Sequence, residues 1–231
     1  MARSDLTGLS RACGALAAGA AVVLPNPAPM AYGVVATRSE AVNALKGRRL
    51  DQNVAVSLHD RPQWHQLAPS IDLPPAALDA VLIVLAQRLT VLLPLRESVP
   101  PPDWVAPAIR DGYLAAFNGY WVATACLWER FPRLYGSSAN LTGQPPAATA
   151  AQAVAMFGTD CPVVDADGLE DAPGPRSAST MVRIDRGGRL GLHRTGAHDA
   201  ASGRVPAEYV RHLAAGVGLS TRPNGIRSRS R

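Results

Sequence analysis

Apolar residues along the chain fall into short runs of two periods, and the changes of period mark the elements. Residues 5–18 carry apolar positions at helical spacing and stop at Gly19, which predicts a first helix. The unbroken run 20–24 predicts a buried strand, and Pro25, Pro27 and Pro29 then force an extended loop. A second strand is predicted at 33–36. Ser39 is expected to cap a short helix over 40–45, with Gly47 just past its end. The β-branched run 54–58 predicts a strand, 59–75 a loop-rich stretch, 76–87 a helix and 90–94 a strand.

Further along, four prolines make 98–107 a surface connection. Residues 111–118 are expected to be helical and 120–128 to form a strand. A helix is predicted over 148–157, with Pro145 and Pro146 suited to its first turn. Short strands at 162–165 and 181–184, a loop at 173–175 and a last helix at 208–215 complete the pattern, without an internal repeat. Short strands separated by helices indicate an α/β or mixed α+β sheet with covered faces. Several connections are too short for helical crossovers, so a mixed sheet is expected. Residues 1–200 read as one domain. Residues 201–231 read as a helix and a basic tail, expected to be disordered, with Arg222, Arg227, Arg229 and Arg231.

Composition narrows the chemistry. A hydrophobic fraction of 47% supports a core over 231 residues. The net charge of +5 and pI near 9.6 favour anionic partners such as nucleotides or RNA. Cys13, Cys126 and Cys161 are scattered, and His193 and His198 have no third ligand nearby, so no disulfide framework or protein-built metal site is expected. That cysteine usage fits the cytoplasm. Residues 12–24 imitate a signal peptide, but Gly19 divides them into a helix-like and a strand-like half. Residues 78–95 carry Asp79, Gln87 and Arg88, which argues for a buried helix running into a strand and against a membrane span.

Two features carry chemistry. Of 23 lysines and arginines, only Lys46 is lysine, in Lys46-Gly47-Arg48-Arg49. A lone lysine in an arginine-rich chain points to a position that needs a compact, rotatable ammonium. The second feature is Ser137-Ser138-Ala139-Asn140-Leu141-Thr142-Gly143-Gln144-Pro145-Pro146, a polar loop expected to feed a helix N-terminus and so to offer N–H groups to an anion. Ser177-Ala178-Ser179-Thr180 opens onto a strand, and Arg194-Thr195-Gly196 holds an arginine at a glycine turn, suited to a phosphate.

In order, Lys46-Gly47-Arg48, Ser138-Ala139-Asn140-Leu141-Thr142-Gly143, Ser179-Thr180-Met181-Val182 and Arg194-Thr195-Gly196 resemble the four motifs of the YrdC family of threonylcarbamoyl-AMP synthases, over about 12–197. The resemblance implies an open, twisted mixed sheet with a basic concave cavity. It implies that ATP, bicarbonate and threonine condense to threonylcarbamoyl-AMP and pyrophosphate, for modification of tRNA adenosine. Lys46 and Arg48 would be the catalytic cations. Ser138, Asn140 and Arg194 would hold the nucleotide, Tyr32 and Ser179 the amino acid, and Mg²⁺ would come with ATP. The stretch 27–33 keeps the family's Tyr32 and Gly33 but carries Ala28, Pro29 and Met30 where the family has two threonines and an acid. The acceptor pocket is therefore expected to differ and threonine to be used poorly. The family's arginine-containing middle strand has no clear counterpart, Arg110 being the nearest candidate, and the chain is expected to lack the extra C-terminal domain of longer members. Two alternatives remain: carbamoyl-adenylate chemistry on another acceptor, and a non-catalytic module binding nucleotide or double-stranded RNA through phosphates.

Overall fold

The structure is a computed structural model that describes residues 6–169 and 174–221; the basic tail lies outside them. The chain begins with α1 (Leu9–Ala17), β1 (Val22–Leu24), β2 (Gly33–Ala36), α2 (Ser39–Leu45), β3 (Ala55–Ser57) and α3 (Arg61–Leu67). It continues through α4 (Pro75–Ala86), β4 (Thr90–Pro94), β5 (Ile109–Arg110), β6 (Tyr113–Phe117), α5 (Ala125–Arg130) and β7 (Tyr135–Ser138). The last part holds α6 (Ala150–Phe157), β8 (Met181–Ile184), β9 (Arg189–Arg194), α7 (Ala197–Ala201), α8 (Pro206–Gly216) and β10 (Ser220–Thr221). No helix among the described residues is long and apolar enough to cross a membrane.

All ten strands join one mixed sheet in the order β1-β2-β7-β3-β6-β4-β8-β9-β10, with β5 paired to β6. The pairs β3/β6, β4/β8 and β9/β10 are parallel and the others antiparallel. Period-two alternation gives the centre of the sheet two unlike faces. Val91 and Leu93 of β4, Leu114 and Ala116 of β6, and Val182 and Ile184 of β8 enter the main core. That core also takes Ala77, Val81, Val84 and Leu85 from α4 and Val210 and Ala214 from α8. Thr90, Leu92, Tyr113, Ala115, Phe117, Met181 and Arg183 face the other way, into a cavity. Ala12 and Leu16 of α1 pack with Val22, Leu24, Trp121 and Trp128 in a second core.

Several elements differ from the sequence reading. Residues 111–118 are a strand, β6, because Asp111 and Gly112 (φ 50° and 74°) make a two-residue turn pairing Arg110 with Tyr113. Asp-Gly between paired strands is the residue pair such a turn requires. Residues 120–128 form a 3₁₀ turn leading into α5; Trp128 packs where a side chain at Gly119 would sit, 2.2 Å from its ring. The supposed loop 59–75 contains α3, started by Asp60 and Gln63 as a reciprocal capping pair. Ser39 is inside α2, and Arg38 occupies the cap position without a side-chain bond. Strands β7 and β9 extend across segments read from sequence as loops and turns.

Candidate functional site

The segment before β2 meets the segment before β8: Met30 bridges Ser177, and the Ala31 N–H donates to the Ser177 carbonyl at 2.8 Å. The sheet thus curls back on itself around a cavity of about 750 Å³. Among the described residues, Arg48, Arg88, Arg110, Arg183 and Arg194 line it, against one acid, Asp111. That acid lies 3.5 Å from Arg110. A smaller cavity of about 450 Å³ adjoins it, and Ser138 and Arg194 border both.

Of the residues singled out from sequence, Tyr32, Arg48, Ser138, Ser179 and Arg194 line the large cavity, and Asn140 lines the small one. Lys46 lines neither. It is 4% exposed behind the 138–144 loop, where its three N–H groups go to the Ser138 carbonyl (2.5 Å), the Asn140 carbonyl and Asn140 Oδ1 (3.0 Å). Ser138 Oγ donates to the same Asn140 Oδ1 at 2.5 Å, and Asn140 Nδ2 donates to the Leu141 and Gln144 carbonyls. Burial, with Arg48 beside it, pulls the Lys46 ammonium down to about 8. An arginine fork cannot aim three N–H groups at three oxygens converging on one atom, which accounts physically for the lone lysine.

The expected anion site at a helix N-terminus is absent, because α6 begins at Ala150, beyond both prolines. Its first N–H groups are capped by the protein itself. Thr149 Oγ1 accepts from Gln152 N, and Asp167 accepts from Ala150 N at 2.8 Å. Asp167 also receives the Tyr32 hydroxyl at 2.7 Å, and burial and that carboxylate raise the Tyr32 pKa. Tyr32 is 1% exposed and ties β2 to the 166–167 segment, which leaves its hydroxyl little freedom to serve a ligand.

At the opposite rim, Ser179 and Thr90 share a hydroxyl contact of 2.7 Å, and Arg194 donates to the Ser179 carbonyl at 3.1 Å. The Arg194-Thr195-Gly196 turn is pressed against that segment. A Cβ on Gly196 would lie 2.5 Å from the Ala178 carbonyl oxygen. Asp199 fixes the turn by accepting from Gly196 N (2.7 Å) and Thr180 Oγ1 (2.6 Å). Thr180 Oγ1 in turn accepts from the His198 and Asp199 N–H groups.

With this geometry in hand, the chain can be compared with known proteins. The Sua5/YciO/YrdC family model, described as telomere recombination, matches residues 14–196. The chain belongs to the Sua5/YciO/YrdC family. No curated protein matches it by sequence. Among solved structures it is similar to P. abyssi Sua5 complexed with L-threonine, at 19% identity and a TM-score of 0.62 over 96% of this chain. It is also similar to E. coli YciO, at 12% identity and a TM-score of 0.56, over 81% of this chain and 88% of that one. HypF in a phosphate- and nucleotide-bound form matches 84% of this chain and 29% of its own, at 14% identity and a TM-score of 0.59. The chain spans 62% of the threonine-bound Sua5 chain and 66% of a second Sua5 structure. These likenesses establish the fold.

Within this Sua5/YciO/YrdC fold, unpaired buried donors lie on the motif residue Arg48 and on Arg183, outside the motifs. Arg48 donates through Nε to Asn43 Oδ1 at 2.7 Å, while one of its terminal nitrogens is buried without a partner. Arg183, Thr90 and His193 also line the cavity and were not anticipated. Period-two alternation on β8 would have found Arg183, since Met181 and Arg183 must share a face once 181–184 is a strand. Arg110, the candidate for the missing middle arginine, lines the cavity from the β5–β6 turn, and the cavity-facing positions of β6 are Tyr113, Ala115 and Phe117. Among the described residues no group of three His, Cys, Asp or Glu side chains is placed to hold a metal ion. The lining is arginine and hydroxyl, a donor set that suits phosphate and not a divalent cation.

Proposed function

We propose that the chain activates a carbamate by adenylation, in the manner of a threonylcarbamoyl-AMP synthase. An amino-acid amine combines with bicarbonate to give a carbamate and water. A carbamate oxygen then attacks the α-phosphorus of ATP and pyrophosphate leaves. The observation that carries this reading is the convergence of Arg48, Ser138, Ser179 and Arg194 on one arginine-lined cavity. Preorganised cations and hydroxyls are what in-line phosphoryl displacement asks of a protein, since its catalysis is positioning and charge neutralisation. Arg48 and Arg194 would take the phosphates and Ser179 the amino acid. Lys46 would position the 138–144 loop from behind. Mg²⁺ would enter on the ATP phosphates as part of the substrate.

A cavity of about 750 Å³ inside a curled sheet has the size of a small-molecule site. That favours a nucleotide over duplex RNA, which needs an open basic surface. The L-threonine in P. abyssi Sua5 and the phosphate and nucleotide in HypF support the same reading. The wall carrying Met30 and Ala31 favours an acceptor other than threonine, because it presents apolar side chains to the cavity. On the family's pattern the product would serve tRNA modification. The test is pyrophosphate release by the purified chain, screened across amino acids with ATP and bicarbonate. Release that requires all three supports adenylation. Salt-sensitive RNA binding without release would replace it with the binding-module reading.

A further inference from the structure

Arg183 has no role in the site as described, and its setting is unusual. Its guanidinium lies 3.7 Å from the Tyr113 ring centroid, and its Nε is buried without a hydrogen-bond partner. Its Cα partner on β9 is Gly191, which adds no side chain beside it. Among the described residues no ion pair joins it to a carboxylate, and the acid of the cavity, the acid of its own hairpin and the acid that holds Arg186 pair with other arginines. Asp72 pairs with Arg186 at 2.8 Å and Arg96 at 3.6 Å, Asp185 with Arg189 at 3.2 Å, and Asp111 with Arg110 at 3.5 Å. An arginine stacked on an aromatic face is held planar, with its edge N–H groups presented for a bidentate partner.

Sheet register says where that partner would sit. Along β4, Thr90 lies opposite Met181, whose partner on β9 is Arg194; Leu92 lies opposite Arg183, and Pro94 opposite Tyr113. The three stations follow one direction, and by leaning on Tyr113 the Arg183 guanidinium is carried away from Arg194. Pro94 lies four positions beyond Thr90, about 13 Å at strand rise. The cavity therefore has two cationic ends, one at the Arg194 turn and one at Tyr113. A ligand set that satisfies both has anionic groups well apart.

We propose that Arg183, laid on Tyr113, is the specificity residue for an acceptor with a side-chain carboxylate, an acidic amino acid. The inference rests on the adenylation reading and concerns the same cavity. The nucleotide's phosphates take the Arg194 end, and the acceptor's side-chain acid takes the fork of Arg183. The apolar wall at Met30 and Ala31 then packs against the acceptor's methylenes, in a pocket that offers a hydroxyl side chain no partner from that wall.

The experiment is calorimetric titration of glutamate, aspartate, glutamine and threonine into the full chain. The chain is first saturated with an ATP analogue whose α,β bridge cannot be cleaved. The wild type is expected to bind an acidic amino acid at least about tenfold tighter than glutamine, as a charge-assisted bidentate pair implies. Arg183→Gln should abolish that preference while analogue affinity stays within about twofold. Arg183→Lys should restore it in part, because the charge returns without the fork. Tyr113→Leu should weaken acid binding with Arg183 intact, and thermal melting of each variant reports whether it folds. Absence of acid preference in the wild type overturns the proposal, as does a parallel loss of analogue affinity in Arg183→Gln. Arg183-dependent acid binding without pyrophosphate release from ATP would sink the adenylation reading and leave the acid site standing. Release with neutral amino acids alone, untouched by Arg183→Gln, would do the reverse.

Discussion

The two sides of the cavity use their polar groups in opposite ways. On the motif side, Lys46, Ser138 and Asn140 spend their side-chain donors and acceptors on one another and on the loop backbone. Facing the cavity, Arg48 after α2 and Arg183 on β8 each keep a buried nitrogen unpaired. A group whose donors are saturated internally has little left for a ligand, whereas an unpaired buried donor gains a full hydrogen bond when a ligand arrives. The difference teaches that the motif residues which are easiest to recognise in the sequence are largely the frame. The unpaired donors that face the cavity belong to Arg48, which the Lys46-Gly47-Arg48 motif marks, and to Arg183 on β8, which no short motif marks.

The sharpest way to break this comparison is at Lys46. Removing the ammonium leaves the neutral oxygens of Ser138 and Asn140 without their donor. Lys46→Met should cost about 3 kcal/mol of stability, as buried unsatisfied acceptors cost about 1–3 kcal/mol each, and remove ATP binding. Lys46→Arg should also fail, since the fork cannot reach three converging oxygens in that volume. Urea denaturation and calorimetric ATP titration measure both effects. A stable Lys46→Met protein that still binds ATP would show that the 138–144 loop holds itself.

The Arg194 turn allows a comparison of two glycines. At Gly196 a Cβ would strike the backbone of Ala178, Ser179 and Thr180 at 2.5–2.6 Å, and backbone cannot move aside cheaply. Gly196→Ala should therefore cost toward the upper end of the usual overpacking range, about 3 kcal/mol, and displace Arg194. At Gly143 (φ 85°) nothing lies within 4 Å, so Gly143→Ala should cost about 1 kcal/mol of backbone strain and leave ATP affinity nearly unchanged. Equal effects of the two changes, in melting and in ATP affinity, would mean that the turn does not place Arg194.

Much of the frame was legible from residues alone. Residues 33–36 and 90–94 are strands over those bounds, and the helix predicted at 76–87 is shifted by one residue. These segments carry strong periodicity on a single face. The segments of the β5–β6 hairpin and α5 take the reverse of the expected structure, because alanine- and aromatic-rich windows fit either period, and the turn at Asp111-Gly112 does not enter a reading by period. The motif residues could be named, but that Lys46 would be spent on Asn140 depends on contacts some 94 positions apart. Period-two alternation puts Arg183 on one face with Met181, but that this face lines the cavity depends on β8 lying beside β4, which no local pattern contains.

Acidification probes the same turn without mutation. Burial lowers the His198 pKa from 6.5 to about 4, although Asp199 partly opposes this. Its Nδ1 is buried without a partner, and Arg88 adds to the depression. Because the folded value lies below the unfolded one, the unfolded chain binds the extra proton. The stability from neutral His198 is fully present above about 6.5 and is lost as pH falls toward about 4. At pH 5 the loss should be about 2 kcal/mol. Melting curves from pH 7 to 4.5 should therefore steepen for the wild type and flatten for His198→Gln. Identical slopes would remove His198 from the account of the turn.

The smallest effect is the most direct on substrate choice. Met30 is 6% exposed and lines the cavity, and on the adenylation reading its thioether would face the acceptor without a strong hydrogen-bonding group. Leaving a buried hydroxyl unpaired costs roughly 1–3 kcal/mol, and supplying a partner recovers part of that. The double variant Ala28→Thr with Met30→Thr should then raise kcat/KM for threonine by roughly tenfold, equivalent to about 1.4 kcal/mol. The gain should be confined to threonine and leave the KM for ATP in place, because Met30 lies on the wall proposed to face the acceptor and Ala28 precedes it outside the lining. Steady-state pyrophosphate release from wild type and double variant decides it. Efficient threonine turnover by the wild type, unimproved by the two threonines, would mean that the acceptor side chain is read elsewhere. The contrast between a saturated motif side and an apolar acceptor wall would then describe packing and not specificity.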